Sequence, residues 1–107
     1  MKKMIFVLMF LCINMGTFKL TAYCPCEECS EGWGRLTHSG RIAEAGRTVA
    51  ADLSVMNLGD KITIDGKEYV VEDSGGGVKG DHVDIFFDSH QEVEAFGVRN
   101  GEVKIWR

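Results

Sequence analysis

Positive charge is scarce in this chain. Its 107 residues carry 12 Lys+Arg against 16 Asp+Glu, a formal net charge of −4. Proteins that grip a polyanion concentrate Lys and Arg, so the balance argues against nucleic-acid binding and leaves neutral glycans open. Proline is almost missing, with Pro25 alone, whereas glycine numbers 13. That composition fits a turn-rich β domain better than a helical bundle. No internal repeat, linker or low-complexity tract follows the N-terminal segment. No apolar stretch approaches the ~20 residues of a membrane-spanning helix. The glycine-rich run Ser74 to Gly80 lacks the Gly-Lys-Ser/Thr ending of a phosphate loop. It reads either as a place where a bulky ligand approaches backbone with positive φ, or as a flexible hairpin tip.

The start has the order of an export signal. Lys2 and Lys3 precede an apolar run, Ile5 to Ile13, of signal-core length. A buried first strand or helix is the other reading. No clean small-x-small pair precedes Thr17, so an uncleaved anchor stays open beside a cleaved leader. With Cys12 in the leader, Cys24, Cys26 and Cys29 remain, an odd number for an exported protein. One local disulfide, Cys24–Cys29 or Cys26–Cys29, is one outcome. A metal held by the three thiols and His38 is another, since that ligand set suits zinc.

Short alternating segments predict six strands: Phe18–Tyr23, Thr48–Ala51, Lys61–Ile64, Glu68–Val71, His82–Phe87 and Glu102–Trp106. Asp65-Gly66 is a two-residue hairpin signal. Residues 24–46 form a long loop, with Trp33 expected to pin it to the body. Ser89-x-x-Glu92 is a capping box that opens a helix running to Phe96, and Gly97 stops it. Val93 and Phe96 share the face that would cover the body. Six short strands and one helix point to a small closed β-barrel.

Three aspartates stand within or at the ends of apolar runs: Asp52 after Val49-Ala50-Ala51, Asp73 after Tyr69-Val70-Val71-Glu72, and Asp84 in His82-Val83-Asp84-Ile85-Phe86. Lost hydration raises a carboxyl pKa toward a range useful for proton transfer. Strand parity sends Val83, Ile85 and Phe87 inward and Asp84 outward with His82 and Phe86. Asp73 shares its parity with Val71 and Tyr69. If its strand neighbours that of Asp84, the two carboxyls face one cleft. Each aspartate also has a plainer role as a turn cap or loop anchor, Asp52 through Ser54 above all.

The ordered set Thr21-Ala22-Tyr23, Thr37-His38-Ser39-Gly40, Val49-Ala50-Ala51-Asp52, Leu58-Gly59, Glu72-Asp73-Ser74-Gly75-Gly76, Lys79-Gly80, Val83-Asp84-Ile85, Asp88-Ser89-His90 and Phe96-Gly97 resembles the 3D domain, named for its three aspartates. The resemblance runs from about residue 18 to 106, so residues 1–16 are the leader or anchor and 17–107 the domain. Three positions depart from the usual pattern: His38 where a small residue is commoner, Asn57 for a proline, and Gly77 for an alanine.

The family is related to the catalytic barrel of membrane-bound lytic transglycosylase A and to bacterial stationary-phase survival proteins. The resemblance implies a six-stranded double-psi β-barrel acting on peptidoglycan strands without a cofactor, outside the cell. It implies no nucleic-acid partner, and membrane contact only through an uncleaved leader. By the same resemblance Asp84 is the single acid/base of a lytic transglycosylase. Asp73 and Asp52 tune it, and Tyr23, Gly75, Gly76 and Lys79 contact substrate. A glycoside hydrolase using two aspartates and a non-catalytic wall-binding module are the competing readings.

Overall fold

The computed structural model describes residues 11–107. The apolar run assigned to the leader lies mostly outside the described residues. The elements are β1 (Cys12–Tyr23), α1 (Glu27–Ser30), β2 (Thr48–Ala51), β3 (Lys61–Ile64), β4 (Lys67–Asp73), β5 (His82–Phe86), α2 (His90–Phe96) and β6 (Arg99–Trp106). The six strands close into a barrel in the order β1-β5-β2-β4-β3-β6. β1 runs parallel to β5 and β2 parallel to β4, while the other pairings are antiparallel. Parallel neighbours cannot be joined by a tight turn, so the chain crosses the barrel ends, as a double-psi barrel requires.

Alternation builds the core. Phe18, Leu20, Val49, Ile62, Ile64, Val71, Val83, Ile85, Val103 and Ile105 all point into the barrel and are buried. Each such side chain stabilises the fold by roughly 1.5–3 kcal/mol. Asp65 (φ 49°) and Gly66 (φ 84°) both take positive φ, the turn that suits a twisted two-residue hairpin between β3 and β4. Asp65 Oδ1 then accepts from the Glu102 backbone N–H at 2.9 Å and ties that hairpin to β6. The Ser89 hydroxyl oxygen accepts from the Glu92 N–H, and the Gly97 N–H donates to the Val93 carbonyl, so both ends of α2 are capped as the sequence predicts.

Several expectations are corrected. β1 begins at Cys12 rather than Phe18, and pairs with β6 from Cys12↔Trp106 onward. A bulge at Gly16 (φ 91°) lets this extension bend. The long loop holds a single helical turn, α1. Trp33 does not pin that loop, being 68% exposed. Leu36 bridges Ile42 within the loop, and Arg41 of the loop and Arg47 just after it meet the buried Glu72 carboxylate at 3.0 and 2.8 Å and hold it to the body. Phe86 points out of the barrel yet is fully buried, because the loop folds over it with Tyr23, Ala43, Ala50 and Val78. Phe87 is only partly buried and meets Phe96 of α2, ring centroids 5.4 Å apart. No helix among the described residues is long and apolar enough to cross a membrane.

Candidate active site

One row of residues crosses four strands on the outer face of the barrel. Thr21 of β1 registers with Asp84 of β5, Asp84 with Ala50 of β2, and Ala50 with Asp73 of β4. β4 and β5 are therefore not neighbours, contrary to the simplest arrangement that would face two carboxyls into one cleft. β2 lies between them and presents only the Ala50 methyl. Asp73 also breaks strand parity. Val49 registers with Val71 but Ala50 with Asp73, so β4 carries one extra residue. This bulge turns both Glu72 and Asp73 away from the core that holds Val71 and Tyr69.

Asp84 is half-buried on the cleft wall. Loss of water raises its carboxyl pKa above the ordinary value. The Thr21 hydroxyl and the nearby His82 oppose that rise, and the charge of Asp73 adds to it. Thr21 donates to Asp84 Oδ1 at 2.9 Å. Its single hydroxyl proton being so used, the His82 Nε2–H donates to Thr21 Oγ1 at 2.7 Å. The chain His82–Thr21–Asp84 occupies Oδ1 and leaves Oδ2 for a ligand.

Asp73 is a fixed acceptor. Its Oδ2 accepts from the Tyr23 hydroxyl at 2.9 Å, and its Oδ1 from the backbone N–H groups of His38 and Ser74 at 3.0 and 2.9 Å. Burial, then the adjacent Asp73, pushes the Tyr23 phenol far above its usual range, so it stays a donor. His38 Nδ1 meets the Ser74 hydroxyl at 2.6 Å, which places its ring on the cleft rim.

Asp52 departs from the expectation that its carboxyl pKa is raised. The N–H of Gly80, then the N–H and hydroxyl of Ser54, pull it down to about 2. It is ionised and clamps the glycine-rich loop, with Gly80 N–H to Oδ2 at 2.8 Å. Gly75, Gly76 and Gly77 do not use positive φ; Gly80 does (φ 67°). A Cβ on Gly76 would meet nothing within 4 Å, so its face is open to the cleft.

Tyr23, His38, Asp52, Asp73, Asp84 and the Gly75–Gly77 run line an open cleft of about 990 Å³ that also contains Trp33, Lys79 and His82. All the site residues picked from sequence (Asp52, Asp73, Asp84, Tyr23, Gly75, Gly76 and Lys79) border it. Missed were Thr21 and His82, whose role depends on strand pairing, and Trp33, whose indole is a bare apolar face on the rim. The metal expectation needs correction at one residue. Cys24, Cys26 and Cys29 gather around His90, and His38 is not among them. None of the four cysteines is in a disulfide.

The barrel defines a fold class, a closed six-stranded β-barrel, and known structures share that fold. MltA from E. coli superposes with a TM-score of 0.60 at 20% identity, over 67% of this chain and 27% of MltA. An apo structure of an E. coli lytic transglycosylase MltA variant gives the same TM-score and identity over 66% and 26%. Residues 47–107 match the 3D domain, and the chain belongs to that family. The cell wall-binding protein YocH of Bacillus subtilis (strain 168) is 33% identical over 60 residues, 55% of this chain. The chain aligns with about a fifth of the length of YocH, 21%.

Proposed function

We propose that this protein is a lytic transglycosylase acting on peptidoglycan at the cell envelope, with Asp84 as its acid and base. The observation that carries this reading is the Asp84 carboxyl, raised by burial and held at one oxygen by Thr21, on the wall of a groove open enough for a glycan. Family membership, the MltA-like fold and the wall-binding relative support the substrate class.

The protonated Asp84 gives its Oδ2 proton to the oxygen that links N-acetylmuramic acid to N-acetylglucosamine, and the bond to the anomeric carbon breaks. The carboxylate so formed takes the proton from the muramic 6-hydroxyl as that oxygen bonds to the same carbon, closing a 1,6-anhydro ring. Ionised Asp52 adds negative potential where the sugar develops positive charge. Tyr23 and Asp73 hold the wall, while Gly75, Gly76 and Lys79 offer backbone and a cation to the sugar and its stem peptide. A hydrolase needs a second carboxyl free to activate water. Three donors already engage Asp73, which favours the single-residue route.

The test is mass spectrometry of fragments released from purified sacculi. Anhydro-muramyl ends are expected from the wild type, reduced at least ~100-fold in Asp84→Asn. Free reducing ends would instead identify a hydrolase. Sacculus binding that survives Asp84→Asn, with no sugar released, would identify a wall-binding module, the reading the YocH name favours.

A further inference from the structure

We propose that Cys24, Cys26, Cys29 and His90 form a tetrahedral zinc site that fastens α2 to the loop walling the cleft. The four ligand atoms lie within 4.8 Å of one another. The three Sγ atoms are 3.8, 3.7 and 3.4 Å from His90 Nδ1. A zinc ion with ordinary Zn–S and Zn–N bonds in a tetrahedron sets sulfur and nitrogen about 3.6 Å apart, so the three sulfur–nitrogen edges already match those of a filled site. Thiol and imidazole ligands select zinc over magnesium, calcium or manganese.

Two further contacts orient the ligands. The Cys29 N–H donates to Cys26 Sγ at 3.3 Å, which fixes the Cys-x2-Cys turn. His90 Nε2 lies 3.3 Å from Glu94 Oε1, one helical turn on. A histidine that binds metal through one nitrogen characteristically donates its other N–H to a carboxylate, which fixes the tautomer. Here that pairing leaves Nδ1 bare toward the sulfurs.

Four protein ligands leave no open position, so the ion is structural and takes no part in the glycan chemistry. Its effect is on shape. Cys24 follows Tyr23 directly, and Cys29 borders the cleft. The short α1 has no fully buried residue of its own. The proposal is independent of which reaction the cleft performs.

Elemental analysis of the full chain, purified without chelator, should give one zinc per chain. Exchange with cobalt(II) should give the intense visible absorption of a tetrahedral ion and a thiolate charge-transfer band. His90→Ala should weaken zinc binding at least ~100-fold and Glu94→Gln about 10-fold, the loss typical of a metal-orienting partner. His38→Ala should leave it unchanged. A metal-free chain, a cobalt spectrum without thiolate bands, or an intact mass revealing a disulfide among the three cysteines would overturn the site. The cobalt spectrum of the wild type decides even if a variant does not fold.

Discussion

Asp73 and Asp84 sit on strands that never pair, yet both stand in register with Ala50. A single methyl between them keeps the groove open and lets the charge of one act on the other. Around this row the two carboxyls are treated oppositely: Asp73 receives three donors, and Asp84 receives one and is left poorly hydrated.

Asp84→Asn should stabilise the protein while abolishing its chemistry. Because the folded carboxyl is raised, the native state holds its proton more tightly than the unfolded chain. Stability from that group is full below the unfolded value near ~4 and falls as pH rises through the folded value. Asparagine keeps an oxygen for Thr21 and carries no charge. Thermal melts of the two proteins should therefore coincide near pH 4 and diverge toward pH 7, with the variant higher by ~5 °C. Equal melting points at pH 7 would count against a poorly hydrated Asp84.

Asp52 should act in the opposite direction. Its carboxyl is lowered to about 2, so its contribution is present above the unfolded value near ~4 and is lost as pH falls toward 2. Asp52→Asn should flatten the acid side of the melting curve between those limits. The glycine-rich loop around Gly80 should also become more open to hydrogen exchange. An unchanged acid limb would show that the loop contacts contribute nothing.

Gly101 is a packing requirement of the barrel. A Cβ there would stand 2.7 Å from Leu20 Cδ1 and 2.9 Å from Asp65 Oδ2. Gly101→Ala should cost about 1–3 kcal/mol through forced displacement of these neighbours, lowering the melting point by ~5–15 °C. Chemical denaturation checks the energy, and a loss under ~0.5 kcal/mol would mean the neighbours yield freely.

A chain starting at Thr17 loses the pairing of Cys12 to Gly16 with β6 and the packing of Met15 on the core. It should still fold, since Phe18 and Leu20 stay in place, but melt ~5 °C or more below a chain starting at Leu11. Identical melting would mean that this extension adds no stability to the barrel.

The strands were legible because alternation is local. Thr48–Ala51 and Lys61–Ile64 match β2 and β3 at both ends, and the Ser89 cap, Asp65-Gly66 turn and Gly97 stop are set by residues within a few positions. The aspartates were legible too, since a carboxyl inside an apolar run is conspicuous and the family pattern names it. The burial of Phe86 was not legible: its parity is outward, as the alternation predicts, and only the return of the long loop covers it. Trp33 misled because a large aromatic in a loop usually seeks a core, and here it faces the groove.

The sequence by itself determined the alternating strands, the two capped ends of α2, the hairpin and the acidic character of the cleft. All of these follow from side-chain parity and backbone preference over a few residues. Barrel closure decided the rest. It placed β2 between the two aspartate strands, inserted the extra residue that turns Asp73 outward, laid Thr21 beside Asp84, and exchanged His38 for His90 at the three cysteines. Those outcomes depend on which distant segments pair and in what register, which is set by the energy of the closed barrel as a whole.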